Sequence, residues 1–327
     1  MRIQGYAAQE AKGRLEPFAY DADLGDHDVL VKVRYCGICH SDVHLADGDW
    51  GPVYPLVPGH EVVGEVVDLG GKVTLLRKGM RVGVGWQCDS CCGCEWCHSH
   101  EEVLCATHKA TCMGHHGGFA DHVVANERFA LPIPSGLDGA SAAPLLCGGA
   151  TVYTPLREYA REGSRVAVVG IGGLGHLALQ FASKMGCRVA AISTTASKEA
   201  EARAFGTHEF LVGAPAPGSY DVIVNTVHAA LDMDAYVAAL RPKGVFVQVG
   251  AAGEPMAISA MGLIPGYKKV AGSAIGHPGV IREMLDFAAK HGVAAKVQVL
   301  PLSSVNEALE LTRKNKARYR VVLQAGA

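Results

Sequence analysis

Neither sign of charge dominates this 327-residue chain: 30 Lys and Arg stand against 32 Asp and Glu, a formal net charge of −2. No basic run occurs anywhere along it, so the electrostatic footprint that a phosphate backbone requires is missing and no nucleic acid partner is expected. Long apolar runs are missing too. The longest, Val166 to Leu179, is cut by Gly170, Gly172, Gly173 and Gly175, and falls short of the ~20 unbroken apolar residues that a membrane span needs. Met1 to Gly5 forms no apolar signal core. Repeats and low-complexity tracts are absent, and 49% hydrophobic with 19% charged residues is a balance unlike that of disordered, collagenous or coiled-coil chains. These absences predict a soluble cytoplasmic protein, with no membrane partner, of about two domains.

What the chain does have is 11 Cys, 15 His and 40 Gly. An odd cysteine count without a secretion signal argues against a disulfide framework and for metal or thiolate chemistry. Up to about Leu146 the chain reads as short strands between turns, with β-branched runs at Val29 to Tyr35, Glu61 to Val67 and Arg81 to Val84. This half is expected to be irregular and mostly β. From about Gly149 strands alternate with helices: a strand at Arg165 to Val169, a helix from Gly173 to Met185 with Gly186 as its C-terminal cap, and strands at Arg188 to Ile192, Asp221 to Asn225 and Val245 to Val249. Such alternation predicts a doubly wound parallel sheet, an α/β architecture. The strands Lys296 to Leu300 and Tyr319 to Leu323 either extend that sheet or return to the first half.

Gly170-Ile171-Gly172-Gly173-Leu174-Gly175 fits G-x-G-x-x-G, directly after a strand and directly opening a helix. The first glycine serves the turn, the second lets backbone amides approach a pyrophosphate, and the third permits close helix packing. An NAD site needs an Asp or Glu at the end of the next strand, for the adenosine ribose hydroxyls. The chain reads Ser193-Thr194-Thr195-Ala196-Ser197-Lys198 there. Hydroxyls and a cation in place of a carboxylate predict NADP(H) rather than NAD(H).

Cys91-x-x-Cys94-x-x-Cys97-x7-Cys105 has the spacing of a closed, four-thiolate structural zinc site. Cys88 and Cys92 lie in the same loop and are expected to be bystanders. Cys39, His60 and Cys147 are the residue types of an open, catalytic zinc site, although spacing this long is equally that of buried core residues.

Taken in order, Cys36-Gly37-Ile38-Cys39-His40-Ser41-Asp42, Tyr54 to Glu61, the four-cysteine loop, Ala143 to Cys147, the glycine loop and Arg318-Tyr319-Arg320 resemble the zinc-dependent medium-chain alcohol dehydrogenases. The likeness spans essentially the whole chain and is nearest to the branch of cinnamyl alcohol dehydrogenases and broad-range NADP-dependent aldehyde reductases. It implies a GroES-like catalytic domain of residues 1–147 and 275–327, and a Rossmann domain of residues 148–274. It further implies two zinc ions per chain, the catalytic one on Cys39, His60 and Cys147 with Glu61 beside it, and Asp42 orienting His60. Ser41 and His44 match the family's proton relay. His40, Thr151, Val249, Gly250, Ala251, Ile275 and Arg320 match cofactor contacts, together with Gly170, Gly172, Gly173, Leu174, Gly175, Ser193, Thr194, Thr195 and Lys198. Trp50 and Trp86 match the walls of the substrate pocket. The implied reaction is hydride transfer between NADP(H) and a small primary alcohol or aldehyde, in a homo-oligomer, dimer or tetramer.

Departures from the pattern are the extra thiols Cys88 and Cys92, a Cys36-x-x-Cys39 pair open to oxidation, and His98 and His100 inside the four-cysteine loop. Quinone reductases of the same superfamily lack the zinc ligands, polyol dehydrogenases usually replace one thiolate by a carboxylate, and a mere zinc and nucleotide binder has no use for Ser41 and His44.

Overall fold

Valines and isoleucines crowd the Asp28–Ile38 strand, whose length of 11 residues makes it the spine of the first half of the protein. In the computed structural model, which describes residues 1–251 and 253–326, the chain forms two compact units: Met1–Gly148 with Gly276–Ala327, and Gly149–Ile275. Ala327, the expected end of the catalytic domain, lies outside the described residues. No helix among the described residues is long and apolar enough to cross a membrane.

In the first unit a seven-stranded sheet runs in the order Val297–Pro301, Arg320–Gln324, Asp28–Ile38, Val62–Leu69, Arg81–Val84, Ala130–Pro132, with His122–Asn126 also paired to the spine. Register decides what the strand ends carry. Antiparallel pairing of Cys36 with Val62, and of Ile38 with Val321, sets the residues that follow the spine beside those that precede the second strand and those that open the last. The two C-terminal strands therefore return to the first unit, which answers the question the sequence pattern alone left open. Valines of this sheet and Phe119 form its core, with Val29, Val31, Val62 and Val66 fully buried.

The second unit is a six-stranded sheet in the order Glu209–Val212, Arg188–Ser193, Arg165–Val169, Tyr220–Asn225, Leu240–Gln248, Lys269–Gly272. Every neighbouring pair is parallel. Counted along the chain this order is 3-2-1-4-5-6, with the direction of winding reversing between Arg165–Val169 and Tyr220–Asn225, the switch point where dinucleotide folds place their ligand. The helix that follows the glycine loop spans Gly175–Lys184, two residues shorter at its start than the pattern predicts, because Gly172 to Leu174 are spent on the loop itself. Met185 is the C-terminal cap and Gly186, at φ +79°, turns the chain out of the helix.

Candidate functional site

The His40–Asp47 helix, which strand and turn signals in the sequence do not announce, builds one side of the principal site. Cys39 is its N-terminal cap, and the Asp42 carboxylate reaches back to accept the Cys39 backbone N–H at 2.9 Å. That is a capping box with Cys in the place usually held by Ser or Thr. Asp42 Oδ1 accepts two further bonds, from the Gly59 backbone N–H and from His60 Nδ1, both at 2.9 Å. Asp42, His60 and Glu61 are completely buried. A carboxylate held in this way fixes the imidazole in the tautomer that protonates Nδ1 and leaves the Nε2 lone pair for a metal, as is common in metal-ligating histidines.

Toward Nε2 the donors converge. Cys147 Sγ lies 3.3 Å from His60 Nε2 and 4.0 Å from Cys39 Sγ. Cys39, His60, Glu61 and Cys147 each offer a ligand atom, all within 4.8 Å of one another. Cys147 arrives at the end of the Ala143–Leu146 turn, whose Leu146 packs so close to Gly83 that a Cβ there would lie 2.6 Å from it. Glu61 pairs through Oε1 with the buried Arg320, while Oε2 is buried without a partner. Burial pushes the Glu61 carboxyl up to about 7 against the downward pull of Arg320. Gly37 makes room for it, since a Cβ there would meet Glu61 Oε2 at 2.0 Å. The Cys39 thiol is held well below the usual thiol range, chiefly by its hydrogen bond with Cys147 and against the cost of burial. Two thiols, one imidazole nitrogen facing them and one orphaned carboxylate oxygen fit a borderline-soft ion such as zinc.

Around this cluster the other expected residues fall as follows. Ser41 Oγ is 3.7 Å from Cys39 Sγ. His44, one turn further along the helix, hydrogen-bonds Asp49 through Nδ1 at 2.8 Å and stacks on Trp50 with centroids 5.0 Å apart. Trp50 meets Trp86 edge to face at 6.2 Å, and Trp86 meets His60 at 5.0 Å. An aromatic wall thus runs from the half-exposed His44 to the buried His60. Three participants escape the sequence reading: Asp49, Cys112, whose buried Sγ lies 4.0 Å from His60 Nδ1, and Arg320 as the partner of Glu61. Cys36 stays apart from the cluster, in the hydrophobic core against Gly59 and Gly118, where burial pushes its thiol well up.

In the second cluster Cys91, Cys94, Cys97 and Cys105 converge. The Sγ separations are 3.5 Å for Cys91 and Cys105, 3.6 Å for Cys94 and Cys97, and 3.9 Å for Cys91 and Cys97. A disulfide would need ~2.05 Å, whereas the edge of a tetrahedron of thiolates about a zinc ion at ~2.3 Å is ~3.8 Å. The sulfurs fit the metal. Cys88 and Cys92 lie outside the set: Cys88 Sγ donates to the Lys109 carbonyl at 3.5 Å and Cys92 Sγ rests on Ser90.

In the second unit the glycine loop has the shape its sequence calls for. Gly170 has φ +86°, no atom lies within 4 Å of where a Gly172 Cβ would stand, and a Gly175 Cβ would lie 1.9 Å from the Gly170 carbonyl oxygen. Tight turn, open cradle and close helix approach are the three glycine roles of a pyrophosphate loop. Leu174 caps the helix. At the end of the Arg188–Ser193 strand, Ser193 Oγ accepts the Thr195 backbone N–H at 3.2 Å, Thr194 and Thr195 are exposed, and Lys198 Nζ donates to Ile171 O of the glycine loop at 2.8 Å. Glu199, the nearest acid, is bound by Arg203 at 2.7 and 3.0 Å. Val249 and Gly250 donate their N–H groups to Asn225 O at 3.0 and 3.1 Å, and Ala251 is exposed. Thr151 is buried in the Gly148–Tyr159 helix, and Ile275 O accepts from Thr154 Oγ1 at 3.3 Å. His40 opens its helix half-buried.

Residues 25–135 match the family described as the alcohol dehydrogenase GroES-like domain, and residues 173–290 the one described as zinc-binding dehydrogenase. The chain is 43% identical to the aldehyde reductase AdhA of Synechocystis over 98% of both proteins. It superposes on a cinnamyl alcohol dehydrogenase of Sorghum bicolor with a TM-score of 0.94 and 40% identity, covering 99% of this chain and 98% of that one. Against the cinnamyl alcohol dehydrogenase of Helicobacter pylori, solved in complex with NADP(H), the TM-score is 0.93 at 30% identity, over 99% and 98% of the two chains. Fold, donor clusters and glycine loop thus agree with likeness over the full length: the chain belongs to the zinc-binding medium-chain alcohol dehydrogenases, in the branch of the cinnamyl alcohol dehydrogenases and aldehyde reductases, and is an oxidoreductase.

Proposed function

We propose that the protein interconverts aldehydes and primary alcohols with NADP(H), using one catalytic and one structural zinc ion per chain. The observation that carries this reading is the convergence of Cys39, His60 and Cys147 on one point, with His60 oriented by Asp42. Cys39, His60 and Cys147, with Glu61 beside them, would hold a zinc ion, which would supply a Lewis acid for the substrate oxygen, while a bound nicotinamide would supply the hydride chemistry. The chain's own residues handle the proton. Ser41 Oγ stands against the cluster and exchanges a proton with the substrate oxygen, and His44 passes it to solvent from three positions further along the same helix, its ring held by Asp49 and Trp50. Trp50 and Trp86, packed edge to face with Trp86 against His60, line the approach to the cluster with indole surface, which favours planar or unbranched aldehydes over bulky ketones.

The cofactor preference rests on the Ser193 to Lys198 turn. A 2′-phosphate carries about −1.5 to −2 charges and is repelled by the carboxylate that an NAD site needs. Here the hydroxyls of Thr194 and Thr195 are exposed, an ammonium stands at Lys198, and Glu199, the acid that follows it, is paired with Arg203. One charge-assisted hydrogen bond, at ~1.5–3 kcal/mol, corresponds to a preference of about 10- to 100-fold in kcat/KM for NADPH over NADH. Kinetics with both cofactors on benzaldehyde test this. The double variant Thr194→Asp with Lys198→Ala is expected to prefer NADH, and equal or higher kcat/KM with NADH in the unmodified protein refutes the assignment.

For the four-thiol lobe the expected result is that Cys94→Ser lowers zinc content by about one ion per chain and lowers Tm, while the remaining folded protein keeps turnover. Structural zinc contributes folding free energy directly. Full activity in protein with a single zinc would disprove the two-site reading. A cytoplasmic homo-oligomer, dimer or tetramer, completes the proposal. It is supported by the exposed Met261, Ile264 and Tyr267, which precede the edge strand Lys269–Gly272 of the parallel sheet. Such an edge offers unpaired backbone groups to a second copy.

A further inference from the structure

Asn225 is almost fully buried at the end of the Tyr220–Asn225 strand, yet the chemistry proposed above gives its side chain no task. Both ends of its amide are engaged: Oδ1 accepts the Val227 N–H at 3.2 Å, and Nδ2 donates to Gln248 Oε1 at 2.7 Å. Gln248 Nε2 in turn donates to the Gly250 carbonyl at 2.6 Å. The backbones joined in this way run close together, since a Cβ on Gly250 would stand 2.3 Å from the Val227 oxygen. These bonds tie the turn after one strand to the turn after the next.

Thr226, between Asn225 and Val227, reaches the other way. Its Oγ1 lies 2.7 Å from the Val169 oxygen and 3.2 Å from the Gly170 oxygen. A Cβ on Gly170 would stand 3.1 Å from that hydroxyl and one on Gly175 3.3 Å from it, so Thr226 fills the angle between the first and last glycines of the loop. In a trans peptide the C=O and the N–H point in opposite directions. Holding the Gly170 carbonyl toward Thr226 therefore turns the Ile171 N–H away from it. Val169 and Asn225 are paired across the two strands between which the winding reverses, where a dinucleotide lies.

We infer that Thr226 is a positioning residue for the dinucleotide: its hydroxyl holds the glycine loop in the shape that receives the pyrophosphate, and the Asn225–Gln248 pair anchors the turn that carries it. The inference rests on the reading of the glycine loop as a dinucleotide site. A cradle set before binding does not have to be ordered during it, and affinity gains accordingly. The pyrophosphate is common to NADPH and NADH, so a defect at Thr226 weakens both alike, whereas changes at Thr194 and Lys198 alter their ratio.

The test titrates the zinc-loaded protein with NADPH and with NADH, followed by nicotinamide fluorescence. Thr226→Val keeps the shape of the side chain and removes the hydroxyl, while the Val169 oxygen retains the Thr226 backbone N–H at 3.0 Å. Loss of one hydrogen bond of ordinary net strength corresponds to a rise in Kd of about 2- to 10-fold, expected by the same factor for both nucleotides. Turnover at saturating cofactor is expected to stay within about twofold, because the bond serves binding and not the chemical step. Thr226→Ser restores the hydroxyl and is expected to restore the Kd. Gln248→Glu, of the same shape, sets a carboxylate oxygen against the Gly250 carbonyl and is expected to raise both Kd values at least about tenfold. A Thr226→Val protein that loses Tm but binds both nucleotides as tightly as before overturns the inference, as does an equal loss of affinity in Thr226→Ser. Binding of neither nucleotide by the unmodified protein overturns the dinucleotide reading, and the inference with it. Tighter binding of NADH than of NADPH overturns the Ser193 to Lys198 assignment alone, and the Thr226 ratio measured on NADH still decides the inference.

Discussion

Cys147→Ser is expected to reduce turnover by at least about 10³-fold, the size of effect that follows when a site loses a Lewis acid supplying several kcal/mol of charge stabilisation. The substitution is close to isosteric, and it leaves the Asp42 hydrogen bonds to Cys39, Gly59 and His60 in place. The fold should therefore survive, with far-ultraviolet circular dichroism unchanged and zinc content lowered by about one ion per chain. His60→Ala should abolish turnover as well, but at a further cost in stability: it empties a fully buried position and takes away one of the three donors to Asp42. A buried polar group left without its partner costs ~1–3 kcal/mol. Of the two, Cys147→Ser separates chemistry from folding. Should that variant keep its zinc and turn over within about tenfold of the unmodified protein, the cluster of Cys39, His60 and Cys147 is not where the reaction occurs.

Removal of one hydroxyl is expected to give the next largest loss. Ser41→Ala should lower kcat by ~10²- to 10⁴-fold, the range typical of a positioned general acid or base, with zinc content and Tm unchanged. Stability is spared because the helix is capped by Cys39 and Asp42 rather than by Ser41, and alanine is at least as good a helix former as serine. His44→Asn should cost less, since a proton that has reached Ser41 has other routes to water from a half-exposed site. Kinetics in both directions, with metal analysis on the same preparations, check the pair. A Ser41→Ala enzyme of unaltered kcat would show that the proton leaves by another path.

Legibility followed the distance along the chain over which each feature is built. The four thiols at Cys91, Cys94, Cys97 and Cys105 sit on one short loop, and the glycines at Gly170, Gly172 and Gly175 on one turn, so spacing alone states their geometry. The alternation of strands and helices after Gly149 likewise announced the parallel sheet. The His40–Asp47 helix was not announced. Its cap is a cysteine, and its role is visible only once Asp42 is seen to bond backward to Cys39 and forward to His60. The signal available was the three-residue spacing from Cys39 to Asp42, the spacing of a capping box.

Determined by the sequence itself, then, are the two local devices, the thiol loop and the glycine loop, and the change of class from an irregular β half to a doubly wound half. Each is made by residues close along the chain, whose relative positions a few backbone torsions set. Tertiary structure alone decided the rest. Pairing of Ile38 with Val321, and of Cys36 with Val62, places Arg320 against Glu61 across 259 positions of sequence. Close packing of Leu146 on Gly83 carries Cys147 to within 4.0 Å of Cys39 from 108 positions away. Strand register, glycine clearance and core burial bring those groups together, and no spacing rule along the chain encodes any of the three.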